Sequence, residues 1–87
     1  MSGTPTERYV RSPDLVWRLA HDRVLVRRVG DHDAAAATDL LGAAALVWVA
    51  AEYPLTATEI AIDTALDADA VAASISLLVA GRWMESS

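Results

Sequence analysis

Hydrophobic and polar positions change rhythm along this chain. From Leu15 to Ala20 the run LVWRLA is apolar, interrupted by Arg18. From Arg23 to Val29 the run RVLVRRV is β-branched and partly alternating. Alternation sends successive side chains to opposite faces of a strand. The dipeptide His21-Asp22 between the runs can make a tight turn, so the two predict a β-hairpin. Gly30-Asp31-His32-Asp33 is a second turn. The next stretch, AAAATDLL from Ala34 to Leu41, leaves several readings open. Alanine favours a helix, which Asp33 could cap and which could run on to Glu52. Thr38-Asp39 could cap a shorter helix, because Gly42 sits badly inside a longer one. A short strand around Ala36 to Leu40 is the third reading.

From Gly42 the period is helical. Leu46, Val49 and Ala50 share a face with Trp48 beside it, and Tyr53-Pro54 ends this helix after Glu52. Thr56-Ala57-Thr58-Glu59 is a capping box, with Leu55 ahead of it and Ile60 in the staple position. It predicts a second helix through Ala65. Asp67 or Asp69 starts a third helix, whose body from Ala70 to Gly81 has no charged residue. Val71, Ile75 and Leu78 fall on one of its faces, Ala72, Ser76 and Val79 on a second, and Ala73, Leu77 and Ala80 on a third. A helix that is apolar or small all round is fully buried or keeps one side for a partner. Full burial is hard to arrange in so short a chain, so one side is expected to be a docking surface. Trp83-Met84 is a short extended end that can pack back on the core.

Three short helices with a tight connection before the third describe a helix-turn-helix core. The expected fold class is α+β: an N-terminal three-stranded antiparallel sheet followed by a three-helix winged helix-turn-helix core. Residues 1–12 are expected to be a flexible tail and residues 13–87 a single domain, with Pro13 marking the boundary. With 87 residues and 54% hydrophobic content, the chain can build one small core.

The polar chemistry narrows the function classes. The absence of Cys removes disulfides, thiolate metal sites and cysteine nucleophiles, and fits a reducing compartment. The start of the chain lacks the apolar core of a signal peptide, and the apolar runs are too short to span a bilayer. A cytoplasmic protein with no membrane partner is expected. The net charge is −5, every basic residue is Arg, and the segment from Asp31 to Gly81 holds none. Nucleic-acid affinity comes mainly from Lys and Arg on phosphates, so no nucleic-acid partner is expected. A DNA-binding winged helix remains the rival reading. Its third helix would need Arg, Lys, Asn or Gln, where this one offers Asp67, Asp69, Ala and Ser. A dimerising module using the same apolar helix face is another rival, and the oligomeric state is open.

Asp31-His32-Asp33 reads as a solvated turn, since no second His lies at ligand spacing. Asp63, Asp67 and Asp69 read as solvated faces and helix starts. The three Trp read as core or core edge. Arg18, Arg23, Arg27 and Arg28 read as a solvated strand face that could meet an acidic peptide. No paired carboxylates, phosphate loop or Ser–His arrangement stands out, so the chain is not expected to be an enzyme or to need a metal or cofactor.

Leu40 to Ala61 (LLGAAALVWVAAEYPLTATEIA) and Leu66 to Glu85 (LDADAVAASISLLVAGRWME) resemble the PqqD-like family. These are small chaperone-like domains, also called RiPP recognition elements, that serve natural-product biosynthesis from ribosomally made, modified peptides. The shared pattern falls at Leu40, Ala45 to Trp48, Thr56 to Ala61, Asp69 to Val71 and Gly81. The hairpin from Leu15 to Val29 fits the family's first two strands. Leu41 stands where the family usually has Asn, the third strand is Ala-rich, and Arg82 separates Gly81 from the apolar end. The resemblance implies a third strand around Ala36 to Leu40. It also implies capture of a precursor leader peptide, added as a strand there and lying beside the third helix. Delivery to a RiPP-modifying enzyme or leader peptidase would follow. The implied peptide-binding residues are Ala35, Ala36, Ala37, Thr38, Asp39 and Leu40 on the strand, with Val71, Ser74, Ile75 and Leu78 on the helix. Small side chains at Ala35 to Ala37 would let a peptide approach closely.

Overall fold

A computed structural model describes residues 7–30 and 37–87. In chain order these form β1 (Arg8–Arg11), β2 (Leu15–Leu19), β3 (Arg23–Arg28), β4 (Thr38–Leu41), α1 (Gly42–Ala50), β5 (Leu55–Thr56), α2 (Ala57–Thr64), α3 (Ala68–Ala80) and β6 (Met84–Ser86). The class is α+β, but the expected order of a single N-terminal sheet followed by three helices is incorrect. The strands make two separate antiparallel sheets, β2-β3-β4 and β5-β1-β6, and the second takes one strand from each end of the chain and one from between α1 and α2. Its pairings, Tyr9 with Leu55 and Val10 with Glu85, join segments far apart in sequence, so no local turn signal announces them.

The hairpin forms with Leu15 opposite Arg28 and Leu19 opposite Val24. β4 continues that sheet, with Val26 opposite Thr38 and Val24 opposite Leu40. A helix running unbroken from Asp33 to Glu52 is ruled out at Gly42, whose φ of 56° is in the left-handed region. Only glycine reaches that region cheaply, so the chain turns there from strand into helix. The capping box at Thr56 is present: the Thr56 hydroxyl accepts from the Glu59 N–H at 3.1 Å, and Glu59 Oε1 accepts from the Thr56 N–H at 2.9 Å. Asp67 caps α3 with its side chain alone, accepting from the Ala70 N–H at 2.7 Å.

The core joins Val24, Val26 and Leu40 of one sheet to Val47, Trp48 and Ala51, Ile60, the α3 residues Val71, Ile75 and Leu78, and Met84 of the other sheet. The buried side of α1 is thus Val47 and Trp48, with Ala51 just beyond, while Leu46 and Val49 of the expected face are exposed. Every position of α1 after Gly42 is apolar, so its period sets no phase. Trp48 is fully buried and its indole N–H donates to the Trp83 carbonyl at 3.0 Å.

Helix C-termini leave carbonyls without intrahelical partners. Arg11 serves α1: its Nε donates to the Trp48 carbonyl at 2.9 Å and its Nη2 to the Val49 carbonyl at 2.8 Å. Arg28 serves the end of α3, donating from Nη2 to the carbonyls of Gly81 at 3.1 Å and Arg82 at 2.8 Å. Among the described residues, no helix is long and apolar enough to cross a membrane.

Candidate functional site

β4 is a terminal strand of the sheet β2-β3-β4, and among the described residues no strand pairs with its outer edge. Such an edge presents N–H and C=O groups that an incoming strand can satisfy. Alternation along β4 divides its side chains. Leu40 is buried in the core and Thr38 half-buried on the same face, while Asp39 and Leu41 are exposed on the other. Asp39 is tied to the neighbouring strand, its Oδ2 accepting from Arg23 Nη1 at 3.1 Å. Arg23 also donates from Nε to Asp22 Oδ1 at 2.9 Å. Asp22 and then Asp39 raise the Arg23 guanidinium above its ordinary pKa, and the hydrogen bond from Arg23 lowers that of Asp22. Asp39 thus pairs toward β3, and among the described residues β4 forms no ion pair across its outer edge.

Of the residues the sequence proposed, Ala35 and Ala36 lie outside the described residues, as does the turn Asp31-His32-Asp33. Ala37 is half-buried and borders a depression of about 360 Å³ with Val16, Trp17, Leu25 and Val26. Leu40, Val71, Ile75 and Leu78 come together, but inside the core: Val71 is 1% exposed and Leu78 not at all. Ser74 is buried on the same side. These four α3 side chains hold the helix to the body of the protein. The α3 surface that a ligand can touch is made by its flanks. One carries Ala70, Ala73 and Leu77, the other Ala72, Ser76 and Val79. Beside the second flank, Tyr9 and Ser86 help close a depression of about 580 Å³.

The sequence reading missed the apolar groove between α1 and α2. Leu46, Val49, Tyr53, Leu55 and Ile62 line it, and Tyr53 and Ile62 are 69% and 78% exposed. The signal available was the all-apolar composition of α1, which leaves Leu46 and Val49 outside while Val47 and Trp48 go inside.

Among the described residues no group of three or more His, Asp or Glu is placed to hold a metal ion. Comparisons of the chain with protein-family models, curated proteins and solved structures find no match.

Proposed function

We propose that this protein binds an extended peptide without catalysing a reaction, by taking it up as an additional strand along β4. The observation that carries the reading is the unpaired outer edge of β4 among the described residues, in a sheet whose inner face is already packed on the core. The resemblance of Leu40 to Ala61 and of Leu66 to Glu85 to PqqD-like domains supports the leader of a ribosomally made precursor as that peptide. The acceptor is a RiPP-modifying enzyme or leader peptidase, and the encounter takes place in the cytoplasm, without nucleic acid or membrane.

The energetics favour a carrier over a tight trap. Each backbone bond to β4 contributes about 1 kcal/mol net. Each apolar side chain seated beside the sheet or against an α3 flank adds about 1.5–3 kcal/mol. Ordering the peptide costs about 2–5 kcal/mol. With only four residues in β4, the balance is a modest affinity that permits release.

The test is a titration of the isotope-labelled chain with the precursor peptide encoded beside its gene, followed by backbone amide shifts. The reading expects shifts at Ala37 to Leu41 and along one flank of α3. Shifts confined to β6 and the Ala72 flank would move strand addition to the other sheet, and no shift at β4 at saturating peptide would defeat the reading. A free edge can also pair with its own copy, and measuring the mass in solution with and without peptide separates that outcome.

A further inference from the structure

The groove between α1 and α2 lies apart from β4, and nothing in the peptide reading uses it. It is an open depression of about 760 Å³ lined by Leu46, Val49, Tyr53, Leu55 and Ile62. Four of these are exposed side chains that folding gained nothing by burying. Exposed apolar side chains gathered in one groove with a polar rim suit an interaction surface.

The rim decides the partner. Glu52, Glu59 and Asp63 border the groove. Glu59 is neutralised by Arg8, whose Nη1 lies 3.1 Å away. Glu52 and Asp63 form no ion pair among the described residues. Arg11 acts electrostatically on Glu52 without forming an ion pair with it, so with Arg8 the three carboxylates meet two guanidinium charges and one negative charge is left over. Neither helix contributes a Lys or Arg, since the chain has none from Asp31 to Gly81. The surface is therefore an apolar trough with surplus negative charge at its edges.

The walls decide the partner's shape. Two helices flank the trough, and the strand beside it, β5, has only two residues, too few to support strand addition. A third helix laid between two others buries its apolar stripe by ordinary side-chain interdigitation. We propose that the α1–α2 groove docks an amphipathic helix of a partner protein, with Leu-type side chains at i, i+3, i+4 and i+7 and Lys or Arg on both shoulders. The shoulders meet Glu52 and Asp63, and the apolar stripe covers Leu46, Val49 and Ile62. This surface stands independently of peptide addition at β4.

The probes are two synthetic helices about four turns long, both with a leucine stripe, one with Lys shoulders and one with Glu shoulders. Each is titrated into the isotope-labelled full chain. The proposal expects the Lys helix to shift amides of α1 and α2 around Leu46, Val49 and Ile62, and to bind at least about tenfold tighter than the Glu helix. Ile62→Asp, at a largely exposed position, removes the shifts while leaving the circular dichroism spectrum unchanged. The double variant Glu52→Lys with Asp63→Lys reverses the preference. Equal affinity for both helices, shifts located at β4, or a concentration-dependent dimer that masks the same amides would each overturn the proposal.

Discussion

Arg11 shows how much one side chain can hold in so small a protein. It leaves β1, lies against two indoles that touch edge to face, with its guanidinium carbon 4.8 Å from the Trp17 ring centre and 4.3 Å from that of Trp48, and ends on carbonyls of the last turn of α1. Those carbonyls carry the negative end of the helix dipole, so a fixed cation suits them. Replacing Arg11 by Met keeps the stem but deletes two charge-assisted hydrogen bonds and the ring contacts. The expected loss is on the order of 2–3 kcal/mol, read as a lower urea midpoint. Arg8→Met, which breaks an exposed pair with Glu59 and a long hydrogen bond to the Pro54 carbonyl at 3.3 Å, should cost less, about 1 kcal/mol. Glu59 gives a pH-dependent counterpart. The Thr56 backbone N–H, with Arg8 as a lesser cause, holds the Glu59 carboxyl below the usual carboxylate pKa. A depressed folded-state pKa adds stability that is complete above the unfolded value and lost as pH falls through the folded one. Between neutral pH and about pH 3, the native chain should therefore lose more stability than Glu59→Gln, whose amide does not titrate there. Urea midpoints of both proteins at the two pH values give the comparison.

The elements owe their boundaries to single backbone positions, and these divide into those a sequence reveals and those it hides. The α2 capping box and the hairpin are legible because their signals are local. β4 is not, since TDLL has no β signature and its register comes from β3. β1, which falls inside the expected tail of residues 1–12, and β5 are hidden because their pairings join distant segments, whereas the extended end at Met84 is anticipated without its pairing to β1. Gly81 is instructive: it stands where a helix stop is expected, yet its φ of −81° is right-handed, and the left-handed residue is Arg82 with φ of 62°. Glycine is needed at 81 for another reason. A Cβ there would stand 2.7 Å from Cδ1 of Trp83. The helix beside the candidate site is legible but not its phase, because an uncharged helix gives no sign of which side faces the core, and the strand edge is expected mainly from the family resemblance. Two substitutions test the backbone argument without touching packing. Ala65 ends α2 with φ of 59°, so Ala65→Gly should stabilise by about 1 kcal/mol. Gly42→Ala meets nothing within 4 Å but forces a methyl-bearing residue to φ of 56°, so it should cost about 1–2 kcal/mol. Thermal or urea unfolding gives both signs.

At the scale of the whole molecule, charge and free surface are distributed unevenly. Six of the seven Arg precede Gly30, while α1, α2 and α3 contain none. Strand addition at β4 would draw on backbone hydrogen bonds and apolar contact, with Asp39 already committed to Arg23. Helix docking between α1 and α2 would draw on Glu52 and Asp63 at an exposed rim, where ionic screening acts fully. Two consequences follow if the surfaces are separate. Saturating one with its ligand should leave the dissociation constant of the other within about twofold. Raising sodium chloride from about 0.05 M to about 0.5 M should weaken the Lys-shouldered helix several-fold while changing the strand-forming peptide by less than about twofold. Calorimetric titrations of each ligand, alone and in the presence of the other, read both effects. A parallel fall in both affinities with salt would mean that the carboxylates of the helical side act on both ligands. In that case the two proposed surfaces are one electrostatic unit and not two separate sites.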